Sequence, residues 1–259
     1  MMDEWILLRG LVRESRHWGG FVQEFEQVVP NAHAVLLDLP GNGLRCTEVS
    51  PATVEAMVEA YRAQLRAMGK LAPYRILAVS MGAMVAAEWS HRYPDEVAKQ
   101  VLINTSMRPF SAFFQRLKPA NYLPLLWLLA TRAPPVQWET AIVRITTNHP
   151  RDAVLPYWCT LREQSPVAVK NLLRQLWAAA IYRASTAPPP AATLVLASAQ
   201  DRLVAADCSR ALAAAWKAPL LVHASAGHDL TLDDGPWVAH QVRVWLECGC
   251  GHEDVTESA

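Results

Sequence analysis

Ser80 lies in the run Arg75-Ile-Leu-Ala-Val-Ser-Met-Gly82, where an apolar stretch ends and a helical pattern begins. Tyr74 to Val79 reads as a buried strand and Ala83 to Tyr93 as a helix. Ala78 and Gly82 flank the serine two residues before and two after. Strand, tight turn with serine, helix is the setting of a nucleophile elbow, which lifts the hydroxyl above the carboxyl edge of a sheet. The flanking residues must be small because the backbone folds back on itself there. The same serine could instead cap the helix that follows, so the local run leaves both readings open.

A serine nucleophile needs an imidazole base and a carboxylate that orients it. Each should sit in a loop just past the carboxyl end of a strand. Asp201 follows the apolar run Thr193 to Ala197, in Ser198-Ala-Gln-Asp-Arg-Leu-Val204, and could equally cap the next helix. His228 follows the run Leu220 to Ala224, in Ala226-Gly-His-Asp-Leu230. The chain has eight histidines. His228 alone follows a strand end with glycine beside it, whereas His17, His33, His91, His149, His223, His240 and His252 read as surface or structural residues. Developing negative charge on a reacting carbonyl would need two backbone N–H donors. Met81, directly after the serine, can supply one. Leu11 is the candidate for the other, because Arg9-Gly10-Leu11 follows the first strand and Gly10 allows close approach.

The elements that must position these residues alternate. Strand patterns at Trp5 to Arg9, Ala34 to Leu37, Tyr74 to Val79, Gln100 to Asn104, Thr193 to Ala197 and Leu220 to Ala224 are separated by helical patterns. Those helices are Trp18 to Val28, Thr53 to Met68, Ala83 to Tyr93, Ala205 to Trp216 and Trp237 to Glu247. Such alternation means βαβ units and a mostly parallel sheet with helices on both faces. It stops between 107 and 190, which holds no strand candidate and many prolines, and which closes on Pro188-Pro-Pro190. Ser165-Pro166 reads as a helix start there, a cap followed by proline in the first turn. Residues 1–106 and 191–248 therefore form the expected α/β core, 107–190 a helical insertion, and 249–259 a disordered tail. No internal repeat is visible.

Composition narrows the class. The 259 residues are 52% hydrophobic, ample for a large core, and 24 basic residues balance 24 acidic ones. That balance gives no reason to expect nucleic acid as a partner. No apolar run reaches the roughly 18 residues of a membrane span. Acidic residues stand near the start where a signal peptide carries basic ones, so a cytoplasmic protein is expected. Five scattered cysteines fit reduced thiols better than a disulfide framework. Cys248-Gly-Cys250-Gly-His252 has metal-binding residue types but no second ligand pair, so no metal is expected there.

Taken together, Arg9-Gly10, Asp38-Leu-Pro-Gly-Asn-Gly43, Val79-Ser80-Met81-Gly82, Asp201 in its loop and Gly227-His228-Asp229 resemble the α/β-hydrolase superfamily over nearly the whole chain. Serine, aspartate, histidine is that superfamily's chain order. Within it the sequence is similar to small bacterial carboxylesterases, including the pimeloyl-acyl-carrier-protein methyl ester esterases. The resemblance implies an α/β-hydrolase fold with a helical lid, ester hydrolysis through Ser80, Asp201 and His228, and no cofactor. Three positions depart from the pattern. Arg9 stands where histidine usually precedes the glycine, Ala78 replaces glycine, and Asn42 stands where histidine often sits. The chain also starts almost on the first parallel strand, so the two antiparallel edge strands common in the family are not expected. The resemblance further implies that Asp38, although at a strand end, bonds neighbouring amides. Gly10 and Trp18 are candidate substrate-pocket residues, with a core role open for Trp18.

The 107–190 insertion carries ten Lys or Arg against three acids, a charge of +7 that leaves −7 on the remainder. It could steer an acidic acyl carrier protein, or be a solvated surface. It is also rich in aromatic residues and leucine, from Phe110 to Trp177, and the surplus beyond core needs should line an apolar acyl cleft. Hydrolysis of short- or medium-chain acyl esters is the leading expectation, with a carrier-bound methyl ester as the alternative substrate. Lyases and carbon–carbon hydrolases share the triad. A binding protein on this fold would usually lack a triad member.

Overall fold

The structure, a computed structural model, describes residues 3–131, 133–148 and 151–248. Six strands, β1 (Asp3–Leu8), β2 (Ala32–Leu36), β3 (Tyr74–Val79), β4 (Val97–Ile103), β5 (Ala192–Ser198) and β6 (Leu220–His223), form one sheet in the order β2-β1-β3-β4-β5-β6. Every neighbouring pair is parallel. All carboxyl ends therefore share one edge. The carboxyl-terminal halves of the central strands β3 and β4 are apolar because both their faces are buried. Trp5, Leu7, Leu77, Val79, Val101 and Ile103 point to one face, while Ile6, Leu8, Ile76, Ala78 and Leu102 point to the other.

Helices cover both faces. α1 (Phe21–Val28) buries Phe21 and Phe25 on the first face, together with Val238 and Val242 of the last helix. On the second face lie α2 (Val54–Ala67) and α3 (Met81–Arg92). α2 buries a stripe at Val54, Met57, Val58, Tyr61 and Leu65, the spacing of one helical face, and Thr53 caps it by accepting the Ala56 N–H. The expected helix from Trp18 is split. A short 3-10 turn spans Ser15–Trp18, and Gly19, at φ 52°, breaks the chain before α1 begins.

Between β4 and β5 the chain forms α4 (Phe113–Arg116), α5 (Tyr122–Ala130), α6 (Pro135–Thr146), α7 (Arg151–Gln164) and α8 (Val169–Ile181). α9 (Ala206–Trp216) then joins the second face, and α10 (Leu230–Asp233) and α11 (Gly235–Glu247) complete the chain. Ser165-Pro166 does not start a helix. Ser165 N–H still bonds Leu161 O as the end of α7, its hydroxyl accepts from Arg16, and α8 begins only at Val169. The serine's hydrogen-bonding capacity goes to the core loop, which a local capping rule does not see. Among the described residues no helix is long and apolar enough to cross a membrane. Cys250, His252 and the tail lie outside the described residues.

Part of the insert is fastened to the core by buried charge. Glu139 of α6, 1% exposed, accepts from Arg13 Nη1 at 2.8 Å and from Arg162 Nη1 at 2.9 Å. Arg13 lies over the Trp158 ring and 3.1 Å from His17 Nε2. Burial, with Arg13 and Arg9 adding repulsion, holds the His17 imidazole well below its ordinary value of 6.5. Folded protein thus binds fewer protons than unfolded protein at this group, so stability rises with pH up to about 6.5 and falls as pH drops below it. His17→Phe should flatten this part of the stability profile between about pH 5 and 6.5. The parent should lose up to about 1.4 kcal/mol per pH unit more than the variant there, read from urea unfolding at stepped pH.

Candidate active site

Ser80 sits at φ 57° and ψ −117°, a conformation that L-residues adopt only under constraint. Its N–H donates to Ile103 O at 2.8 Å, and its carbonyl accepts from Thr105 Oγ1 at 3.0 Å and from Ala83 N at 3.1 Å. The end of β4 and the residues just after it thus brace both ends of the turn. The small flanks are explained by what they meet. A Cβ on Gly82 would stand 2.6 Å from Leu8 O and 2.7 Å from Arg9 O, so α3 can pass β1 only with glycine there. Ala78 is fully buried in the sheet, where its single methyl is tolerated.

β1 pairs with β3 so that Leu8 stands opposite Ala78. Two residues further on, that register sets Gly10 beside Ser80. A Cβ at Gly10 would lie 3.1 Å from Ser80 Cβ and 3.5 Å from Ser80 Oγ. Leu11 N–H follows at once and has no hydrogen-bond acceptor among the described residues. Met81 is the first residue of α3, where N–H groups lack an intrahelical partner. Both candidate oxyanion donors are thus in the neighbourhood of Ser80 with N–H groups available.

β5 and β6 deliver the other two residues. Asp201 and His228 are 2% and 5% exposed, and His228 Nδ1 donates to Asp201 Oδ2 at 2.7 Å. The other Asp201 oxygen accepts from Leu203 N at 2.7 Å and Val204 N at 2.9 Å. The aspartate therefore holds its own turn with one oxygen and the imidazole with the other. A carboxylate acceptor fixes the proton on Nδ1 and leaves Nε2 as the basic nitrogen. No hydrogen bond joins Ser80 Oγ to the imidazole among the described residues. A serine–imidazole hydrogen bond is often long in free enzymes and tightens when substrate binds.

The sequence reading passed over Asn104. Its Nδ2 donates to Ser198 Oγ (2.9 Å), Gly227 O (3.2 Å) and His228 O (2.8 Å), while its Oδ1 accepts from Ser198 N (2.8 Å). It ties the ends of β4 and β5 to the histidine loop. The available signal was a polar Asn-Thr-Ser run directly after the apolar end of β4. Asp38 accepts from Ser15 N and Leu44 N, as expected of a loop-shaping carboxylate. Trp18 is 3% exposed, packs on Phe21 at 5.6 Å between ring centres, and lies 4.7 Å from the Arg9 guanidinium. It belongs to the buried apolar cluster on the first face of the sheet. Of the apolar surplus in the insert, Phe113, Leu123, Leu126, Trp127 and Trp177 are exposed.

Arg9 answers the question raised by the missing histidine. Its Nη1 donates to Asp229 Oδ1 at 3.0 Å and to Thr231 Oγ1 at 3.3 Å, and its Nη2 to Asp229 Oδ2 at 2.5 Å. Burial alone would raise the Asp229 carboxyl, but the Arg9 charge and its hydrogen bonds hold it below the usual carboxylate range.

Residues 5–241 match the Alpha/beta hydrolase family. A pimeloyl-[acyl-carrier protein] methyl ester esterase from Chromobacterium violaceum is 34% identical over 92 residues, 36% of this chain. The match spans about a third of that relative's length, 34%. A thermophilic esterase from Thermogutta terrifontis shares the fold at TM-score 0.73 and 20% identity, over 95% of this chain and 90% of that one. A meta-cleavage product hydrolase from Pseudomonas fluorescens IP01 does so at TM-score 0.73 and 16% identity, over 95% and 90%. The all-parallel sheet, the elbow between β3 and α3 and a match over most of its length agree: the chain belongs to the alpha/beta hydrolase family.

Proposed function

We propose that this hydrolase is a serine carboxylic-ester hydrolase acting on short- or medium-chain acyl esters, with the insert serving as its lid. The observation that carries the reading is the His228–Asp201 hydrogen bond, on loops at the same sheet edge as the constrained Ser80 turn. Ser80 Oγ attacks the ester carbonyl while His228 Nε2 takes its proton. The carbonyl oxygen becomes an oxyanion that accepts from Leu11 N–H and Met81 N–H. Collapse breaks the C–O bond, and His228 returns the proton to the leaving alcohol. Water, deprotonated by His228, then releases the acid and restores Ser80. Asp201 holds the ring and stabilises its cationic form throughout. Gly10, against the Ser80 side chain, keeps the approach to the carbonyl open.

A carrier-bound methyl ester is the second reading, favoured by the partial likeness to the Chromobacterium esterase and by the basic insert. The structural pairings narrow which cations could act. Arg162 is held by Glu139, and Arg116 and Arg174 donate to backbone carbonyls. Arg108, Arg144, Lys170 and Arg183 are exposed.

Ser80→Ala should lower turnover of an activated ester by about 10⁴-fold or more, and Asp201→Asn by at least about 10³-fold. Far-UV circular dichroism and melting temperature should stay near the parent's. A fluorophosphonate should add to Ser80 in the parent and in no residue of Ser80→Ala, read by peptide mass. Activity within tenfold of the parent in Ser80→Ala would remove the serine from the chemistry.

Reversing Arg144, Lys170 and Arg183 to Glu separates the two substrate readings. For a carrier-bound ester, kcat/KM should fall by about tenfold or more and the remaining rate should lose its salt dependence. A small neutral ester should change by less than about twofold, because neutral molecules are not steered. Equal loss on both substrates would point to damage of the insert. No loss on either would leave the small-ester reading.

A further inference from the structure

Leu11 and His228 have to act on the same carbonyl, yet they follow β1 and β6, strands separated by three others in the sheet. Strand register cannot by itself fix their relative positions to the fraction of an ångström that catalysis needs. Arg9 directly precedes Gly10-Leu11, and Asp229 directly follows His228. The two side chains are 4% and 6% exposed and meet through two parallel hydrogen bonds, a geometry that fixes orientation as well as distance. Thr231 and the face of Trp18 confine the guanidinium further.

We propose that the Arg9–Asp229 pair positions the oxyanion donor relative to the general base, making both residues positioning residues of the reaction. The inference rests on the serine-hydrolase reading. Bidentate pairing aligns the start of the oxyanion loop with the histidine loop through one rigid plane, so a change at either side chain displaces donor and base relative to each other. A misplacement near 1 Å can cost on the order of 10²-fold in rate. The loss should fall on the transition state, where the oxyanion exists, and leave substrate binding almost untouched.

The test must separate positioning from stability, because breaking a buried pair leaves an uncompensated charge, whereas replacing both partners by apolar groups is often tolerated. Arg9→Met and Asp229→Leu should each lower the melting temperature. The double variant Arg9→Met/Asp229→Leu should recover most of it. In the double variant kcat for an activated ester should nevertheless stay down by about 30- to 300-fold, with KM within about threefold of the parent. Affinity for an alkyl boronic acid, whose tetrahedral adduct on serine needs the oxyanion donors, should fall by a similar factor. Arg9→Lys, which keeps charge but not the planar fork, should fall between parent and double variant in kcat. A stable double variant with parental kcat and parental boronate affinity would overturn the inference while leaving the serine-hydrolase reading intact. A double variant that does not fold shifts the decision to Arg9→Lys, where parental kcat and boronate affinity would likewise overturn it. A parent that neither hydrolyses esters nor reacts with a fluorophosphonate would overturn the serine-hydrolase reading, and the positioning role with it.

Discussion

The backbone of Ser80 is held where a non-glycine residue costs about 1–3 kcal/mol, and much of the sheet edge is arranged to keep it there. Ile103 takes its N–H and Thr105 holds its carbonyl, so the end of β4 and the loop after it grip the turn from one side. Gly82 lets α3 run hard against the end of β1, which closes it from the other. The parallel register of β1 and β3 then brings Gly10 against the serine without any further device. The order of the strands is therefore what fixes the geometry of this turn. A serine displaced by one strand would lose either its brace on β4 or its neighbour on β1.

Away from that turn, positions are set by polar groups paired in the interior. Asn104 makes three donor contacts and one acceptor contact with the end of β5 and the loop after β6. Gln175 of α8, fully buried, accepts from Val12 N at 2.9 Å and donates to Asn42 Oδ1 at 2.7 Å. Asn42 in turn donates to Arg13 O at 2.9 Å. Unpaired, each of these groups would carry a desolvation penalty of about 1–3 kcal/mol, so their pairing specifies one arrangement of loops rather than several. Asp229 N–H reaches Thr146 O at the end of α6 at 2.7 Å, so the same helix that carries Glu139 also touches the histidine loop.

What could be read in the sequence was whatever is local. The run Tyr74 to Val79 followed by Ser80 and a helical pattern defines strand, turn and helix within about twenty residues, and periodicity places the rest of the alternation. Strand ends shifted by up to three residues, as at β4, which begins at Val97 because exposed Ala98 and half-buried Lys99 hide its start. Asp201 and His228, which the structure pairs, could be singled out because each follows a strand in the sequence. The Arg9–Asp229 pair was not, since its members lie 220 residues apart and neither has a local role that its type announces. Ser165 misled for the same reason. Its hydroxyl answers Arg16, 149 residues away, rather than its own helix.

The way the insert is held has an evolutionary corollary. Val12 N–H, Arg13 and Asp229 N–H belong to the core, yet their partners Gln175, Glu139 and Thr146 are supplied by the insert. Core and insert cannot be exchanged as independent modules. An insert grafted from another hydrolase would leave a buried cation and two backbone amides facing nothing, unless it carried acceptors at those three places. Substitution is therefore constrained physically at the joints, whereas the outward surfaces of α5 to α8 make none of these three contacts.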